Sequence, residues 1–281
     1  MNLYTIDTGK FKLDGGAMFG VVPKVIWQKT NPADDRNLID MAMRCLLIED
    51  GNRLFLIDNG IGHKYDAKFQ GLYAIDHNIT LDASLAKHGF SRSDVTDLIL
   101  THLHFDHCGG TTYYNADKNR YEVAFPNAKI YLQKDHLALA QKPNAREKAS
   151  FFKENIEPVA ESGQLTLLEG NTQLTDAISL EVVNGHTIGQ QLPVIRYKDK
   201  TILYAADLFP TYGHIPLPYV MGYDTQPLVT LDERAGYLKR LSDENTILFY
   251  EHDPYNECGL VKIDEKGRYS SGETFPLTNV L

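Results

Sequence analysis

Three histidines and an aspartate fall within six consecutive residues of this chain, in Thr101-His102-Leu103-His104-Phe105-Asp106-His107-Cys108-Gly109-Gly110, although the whole 281-residue sequence has only ten histidines. Imidazole nitrogen and carboxylate oxygen are the donors that suit zinc and similar divalent ions. The run directly follows an apolar segment, residues 97–100, that reads as a buried strand. The carboxyl end of such a strand is where an α/β sheet offers side chains to a cleft. One short run cannot aim all four groups at a single tetrahedral ion. The spacing instead lets His102 and His104 share one metal while Asp106 and His107 turn toward a second. A fold built around this run has to supply more donors from other strand ends.

Strand patterns occur at residues 3–8, 10–13, 44–48, 53–57, 97–101, 129–132, 178–183, 193–197, 201–205 and 246–250. Gly51 sits in the turn of a hairpin between 44–48 and 53–57. Helical spacing occurs at 81–88, stopped by Gly89, over most of 134–162 with interruptions at Pro143 and Pro158, and at 231–241. The strands therefore come in two groups, each followed by helices and each containing hairpins. Regular βαβ alternation would read differently. The expectation is an α/β (α+β) chain with two mixed β-sheets packed face to face and helices outside, forming one domain of two similar halves over residues 1–281. Three later donors stand at strand ends: His186 after 181–183, Asp207 after 201–205 and His252 after 246–250.

Composition narrows the class. Twenty-eight basic against thirty-seven acidic residues give a net charge of −9 with no local basic cluster, which argues against a nucleic-acid partner. The cysteines, Cys45, Cys108 and Cys258, form no framework of disulfides or CxxC pairs. Residues 1–11 carry no basic region followed by an apolar one, and no apolar run approaches the ~18 residues of a membrane span. A reduced, cytoplasmic protein with no membrane partner is expected.

The set His102-x-His104-x-Asp106-His107, then His186, Asp207 and His252, resembles the metallo-β-lactamase superfamily of hydrolases, from about residue 58 to 252. The resemblance implies a four-layer αββα sandwich with the site at the rim of its two sheets. It implies two divalent metal ions, zinc by default, with iron, cobalt or manganese able to occupy the same donors. His102, His104 and His186 would hold one ion, Asp106, His107 and His252 the other, and Asp207 would bridge them. Asp58 would support the metal loop. Two ions, two carboxylates and a shared hydroxide leave such a site near +1, which favours an oxyanion in the transition state. Asp106 and Asp207 are the candidate catalytic residues, Asp207 also for handling the leaving proton.

Two segments rich in Gly, Pro, Met and aromatics, residues 14–24 and 212–224, resemble the subgroup of quorum-quenching N-acyl-homoserine lactone lactonases and their organophosphate-hydrolysing relatives. They suit a rigid apolar loop over a site, with Met18, Phe19, Tyr219 and Tyr223 as wall candidates and His214 as a further lining residue. Those lactonases have a tyrosine three residues after the bridging aspartate. Here that position is Pro210, with Tyr212, Tyr219 and Tyr223 nearby. The implied function is hydrolysis of a small lactone or similar ester, with a phosphotriesterase or aryl esterase as the alternative. A homodimer is common among such relatives. Cys108 reads as a small buried residue, and His63, His77, His88 and His136 as structural.

Overall fold

The computed structural model describes residues 1–243 and 246–280. They form a mixed α/β structure with two large sheets flanked by helices, as the strand grouping predicts. The chain divides into two compact units: Met1–Phe11 with Met43–Gly170, and Lys12–Ala42 with Asn171–Leu281.

The first unit is organised around a six-stranded sheet in the order Asn2–Asp14, Leu38–Asp50, Arg53–Ile57, Asp97–Ile99, Lys129–Gln133, Leu165–Leu168. Arg53–Ile57 pairs antiparallel with Leu38–Asp50, closing the expected hairpin, and parallel with Asp97–Ile99. Lys129–Gln133 and Leu165–Leu168 continue the parallel part. Leu54, Leu56, Leu98, Leu100, Ile130 and Leu132 alternate onto one face. There they join Leu81, Leu85, Ala140, Ile156 and Val159, from the helices Leu81–Lys87, Lys134–Gln141 and Lys153–Glu161, in one buried cluster. Phe55, Ile57 and Ile99, on the other face, are also fully buried. Strands buried on both faces read as unbroken apolar runs rather than alternating ones, hence the pattern at 97–100.

Pro158 does not interrupt its helix as the sequence suggests; it lies inside Lys153–Glu161. Proline has no N–H for the carbonyl four residues back. Thr112 Oγ1 donates to that carbonyl, on Glu154, at 2.8 Å, replacing the missing bond.

In the second unit the seven-stranded sheet runs Tyr269–Phe275, Cys258–Ile263, Ile247–Phe249, Lys200–Tyr204, Gln190–Tyr197, Ile178–Val183, Thr172–Gln173. Gln190–Tyr197 is antiparallel to both Ile178–Val183 and Lys200–Tyr204, and Lys200–Tyr204 is parallel to Ile247–Phe249. The strands preceding His186, Asp207 and His252 therefore all point the same way, so all three residues leave one edge of the sheet. The helix Pro227–Asp243 makes the crossover between the two parallel strands.

Other elements depart from expectation. The first strand runs unbroken through Gly9, whose φ of +118° absorbs a twist; a Cβ there would meet the Asp76 carbonyl oxygen at 2.5 Å. Gly15–Phe19 is a short helix capped by Asp14, which accepts from Ala17 N at 2.8 Å, rather than a loop.

Asp97 opens the strand that carries the metal-ligand run. It accepts from Arg53 Nε at 3.0 Å and from the Tyr131 hydroxyl at 2.8 Å. Burial works against its charge, but the hydrogen bonds from Arg53, Thr96 and Tyr131 outweigh burial and hold it below the ordinary carboxylate range. A lowered folded pKa stabilises above the unfolded value of ~3.9 and is lost as pH falls through the folded one. Asp97→Asn should therefore cost roughly 1–3 kcal/mol at pH 7. In urea titrations the gap to wild type should close as pH drops below ~4; a constant gap would contradict this.

Candidate metal centre

In the first unit the donors sit on a loop held from behind by one carboxylate. Asp58 follows Arg53–Ile57 with a left-handed φ of 55°. Its N–H donates to Ile99 O at 2.9 Å, which keeps it level with the neighbouring strand end. Its carboxylate accepts from Thr101 N at 2.8 Å, from Thr101 Oγ1 at 2.6 Å and from His107 Nδ1 at 3.1 Å. With Nδ1 engaged by Asp58, His107 presents Nε2 on its other side. The Thr101 hydroxyl, having given its proton to Asp58, accepts from His102 Nδ1 at 3.0 Å, so His102 also presents Nε2. That Nε2 lies 3.1 Å from His104 Nδ1. Asp106 Oδ2 lies 3.9 Å from His107 Nε2. Leu103 N donates to His136 Nε2 at 2.8 Å, so His136, read as structural, fixes the middle of the loop. Cys108 is fully buried, as expected, and burial pushes its thiol up to about 12.

The turn after the run leaves no room for side chains. A Cβ on Gly109 would meet Ile61 O at 2.0 Å, and one on Gly110 would meet Asn59 O at 2.4 Å.

In the second unit Asp207 stands between two histidines. Its Oδ2 is 3.0 Å from His186 Nε2, and its Oδ1 is 3.1 Å from His252 Nε2. Ala206, just before it, has a left-handed φ of 41°, a backbone state that costs an L-residue about 1–3 kcal/mol and clusters at functional sites. His186 Nδ1 is held by Asp224 Oδ1 at 2.8 Å, and His252 Nδ1 donates to Ala42 O at 2.9 Å. The loop before His186 is fixed by Glu233, which accepts from Asn184 N at 2.6 Å and Gly185 N at 3.0 Å. Burial disfavours a charge on His186, but Asp207 and Asp224 outweigh it and push the imidazole up to about 10. Carboxylates that hold a proton there so firmly create a field suited to a cation.

These spacings fit metal donors. Two ligands ~2.0–2.1 Å from a tetrahedral ion stand roughly 3.3 Å apart. The pairs His102–His104, His186–Asp207 and His252–Asp207, at 3.0–3.1 Å, are close to that value. The nitrogen and oxygen donors suit zinc.

The wall candidates all lie in the second unit but differ in character. Phe19 is fully buried, stacked between Trp27 (5.3 Å) and His214 (4.1 Å), with Tyr219 edge-on at 6.4 Å. Met18 is also buried, whereas Tyr223 is exposed. His214 pairs through Nδ1 with Thr211 Oγ1 at 2.7 Å and through Nε2 with Met18 O at 2.9 Å. Burial, with Arg234 adding to it, lowers His214 to about 3, so it stays a neutral ring that fastens the Gly15–Phe19 helix. Sequence reasoning missed Asp224, Glu233 and Glu147. Asp224 closes one of the quoted segments, so a carboxylate after an aromatic loop was its available signal. Glu147, buried, stands 3.8 Å from His104 Nε2, the nitrogen that does not face His102.

Comparison with known proteins decides the family. The model of the metallo-beta-lactamase superfamily matches residues 44–252. The chain belongs to this superfamily. An N-acyl homoserine lactonase of Bacillus cereus is 25% identical over 239 residues, covering 79% of this chain and 86% of that one. A probable metal-dependent hydrolase from Staphylococcus aureus has a similar structure, with a TM-score of 0.87 and 27% identity over 98% of both chains. AidC, a dizinc quorum-quenching lactonase solved with a product, N-hexanoyl-L-homoserine, has a TM-score of 0.77 and 26% identity over 98% of this chain and 95% of that one. As a member of the metallo-β-lactamase superfamily this chain is a metal-dependent hydrolase, and its histidine and aspartate clusters are those of a dinuclear site.

Carboxylates behind metal-binding histidines set ring tautomer and orientation, and removing them typically costs 10–100-fold in metal affinity. Asp58→Asn and Asp224→Asn should each weaken zinc retention by about that factor in chelator competition. Wild-type retention in both would show that these carboxylates serve only the fold.

Proposed function

We propose that this metallo-β-lactamase-fold chain is a lactonase-type hydrolase of a small, partly apolar lactone or similar ester. In this reading His102, His104 and His186 would hold one ion, Asp106, His107 and His252 the other, and Asp207 would serve both. The observation that carries it is the carboxylate of Asp207, whose two oxygens each face a different histidine at 3.0 and 3.1 Å. Two divalent ions bound there would supply Lewis-acid polarisation of the substrate oxygen and lower the pKa of water. The chain's own residues do the rest. Asp58, Asp224 and the Ala42 carbonyl hold the rings of His107, His186 and His252 so that Nε2 faces the donors. Asp207, or a water beside it, would carry the proton released by the attacking water to the leaving oxygen. The lactone follows from what the lactonases resembling this chain are named for.

A phosphotriester or aryl ester is the second reading, supported by Pro210 in place of the lactonase tyrosine. Tyr212 is half-buried and its backbone is tied down, with N donating to Asp253 Oδ2 at 2.7 Å and O accepting from Ser271 at 2.6 Å. A cytoplasmic homodimer is part of the proposal. Three buried cysteines, outside any disulfide among the described residues, support the location, and the exposed Val21, Val25 and Ile26 support the dimer. Among the described residues no helix is long and apolar enough to cross a membrane.

Parallel assays with acyl-homoserine lactones, paraoxon-type triesters and aryl acetates should give the highest kcat/KM on a lactone. Asp207→Asn should lower every activity by roughly a hundredfold or more. Lactone turnover orders of magnitude below the other two classes would transfer the assignment to the second reading.

A further inference from the structure

Wholly within the first unit, beside the metal-ligand loop, lies a cavity of about 550 Å³ lined among others by Gly62, Lys64, Asp82, Arg92, Gly110 and Thr112. Its charges do not balance. Among the described residues Asp82 is the only acidic one in the lining, and Arg92 takes it with both ends of its fork, Nε to Oδ1 at 2.6 Å and Nη2 to Oδ2 at 3.2 Å. Arg92 Nη1 donates to Gly110 O at 2.7 Å, and its guanidinium lies 5.2 Å from the Phe125 ring. Among the described residues Lys64 has no carboxylate within salt-bridge distance. Its ammonium donates to the carbonyls of Gly109 and Thr112 and lies 5.1 Å from the Tyr65 ring. An ammonium has three N–H donors, and two are used.

Holding a cation this way is costly. Burial lowers Lys64 to about 8, and the distant pull of Cys108 and Glu154 does not offset it. Carbonyl dipoles ease the cost without cancelling the charge. An anion entering the cavity would find that charge already desolvated, with the Arg92 guanidinium beside it and the exposed rings of Tyr113 and Tyr114 at the rim. Guanidinium and ammonium together are the usual readers of carboxylate and phosphate oxygens.

We infer that this cavity is a second, non-catalytic binding site for a small oxyanion, a carboxylate or phosphate carried on a compact body, held by Lys64 and flanked by Arg92. Two of its lining residues, Gly110 and Thr112, follow shortly after His107 and Cys108 in the chain. Occupation therefore bears on the same turn that closes the metal-ligand loop, through the Lys64 bonds to Gly109 and Thr112.

The test uses the metal-loaded protein labelled with 15N-glycine, titrated separately with sulfate and with benzoate while the amides of Gly62 and Gly110 are followed. At least one probe should produce a saturable shift; sulfate alone would identify a phosphate-like ligand and benzoate alone a carboxylate. Lys64→Met should weaken that binding at least tenfold. Asp82→Asn, at an exposed side chain whose loss leaves Arg92 unneutralised, should tighten it at least threefold. The opposite signs separate this site from anion binding at the metals, which neither change should strengthen. No saturable shift with either probe would overturn the inference. So would wild-type affinity in Lys64→Met, or, if that variant does not fold, unchanged affinity in Asp82→Asn.

Discussion

The fully buried carboxylate of Asp58 ties the first unit's chemistry to its fold. A buried charge survives only where hydrogen bonds replace the water it has lost. Asp58 obtains them from Thr101 N, Thr101 Oγ1 and His107 Nδ1. Those three bonds fix where the loop leaves the strand Asp97–Ile99, which way the Thr101 hydroxyl points, and so which nitrogens His102 and His107 present. The parallel pairing of Arg53–Ile57 with Asp97–Ile99 brings Asp58 alongside this loop. The left-handed φ at Asp58 turns the chain there. Sheet, turn and ligand orientation thus depend on one side chain.

The second unit reaches the same end with other parts. His186 is held by a carboxylate, Asp224, and His252 by a backbone carbonyl, that of Ala42. The loop before His186 is gripped by Glu233 through two backbone N–H groups, and Gln226 N donates to Gly185 O at 2.9 Å. In both units each oriented histidine spends one nitrogen on the protein and keeps the other for the site. That division of labour is typical of metal-binding histidines.

Much of this was legible in the sequence because the chemistry is local. The ligand run is contiguous, and His186, Asp207 and His252 each follow a strand whose apolar character is plain. The class of fold followed from the grouping of strands. What stayed hidden has no local signature. Ala42 acts through its carbonyl, which any residue would offer. Asp224 lies 38 residues from the histidine it holds and Glu233 lies 49 from the N–H it caps, so only the folded chain pairs them. Pro158 read as a break because its rescue comes from Thr112, 42 residues before the carbonyl it satisfies. The hairpin of Cys258–Ile263 and Tyr269–Phe275 leaves little trace in the sequence because its residues are mostly exposed or half-buried, which weakens the apolar alternation. His214 looked like a lining residue by its place between aromatics; its two ring nitrogens serve the backbone of Met18 and the hydroxyl of Thr211 instead.

Asp207 is the residue proposed to join two metal sites into one reactive centre. Anomalous diffraction at the zinc edge, on crystals of the metal-loaded protein, tests it most directly. Two peaks per chain, roughly 3.5–4 Å apart with one Asp207 oxygen on each, is the result this account requires. A single peak, or two peaks with Asp207 bound to neither, would contradict it.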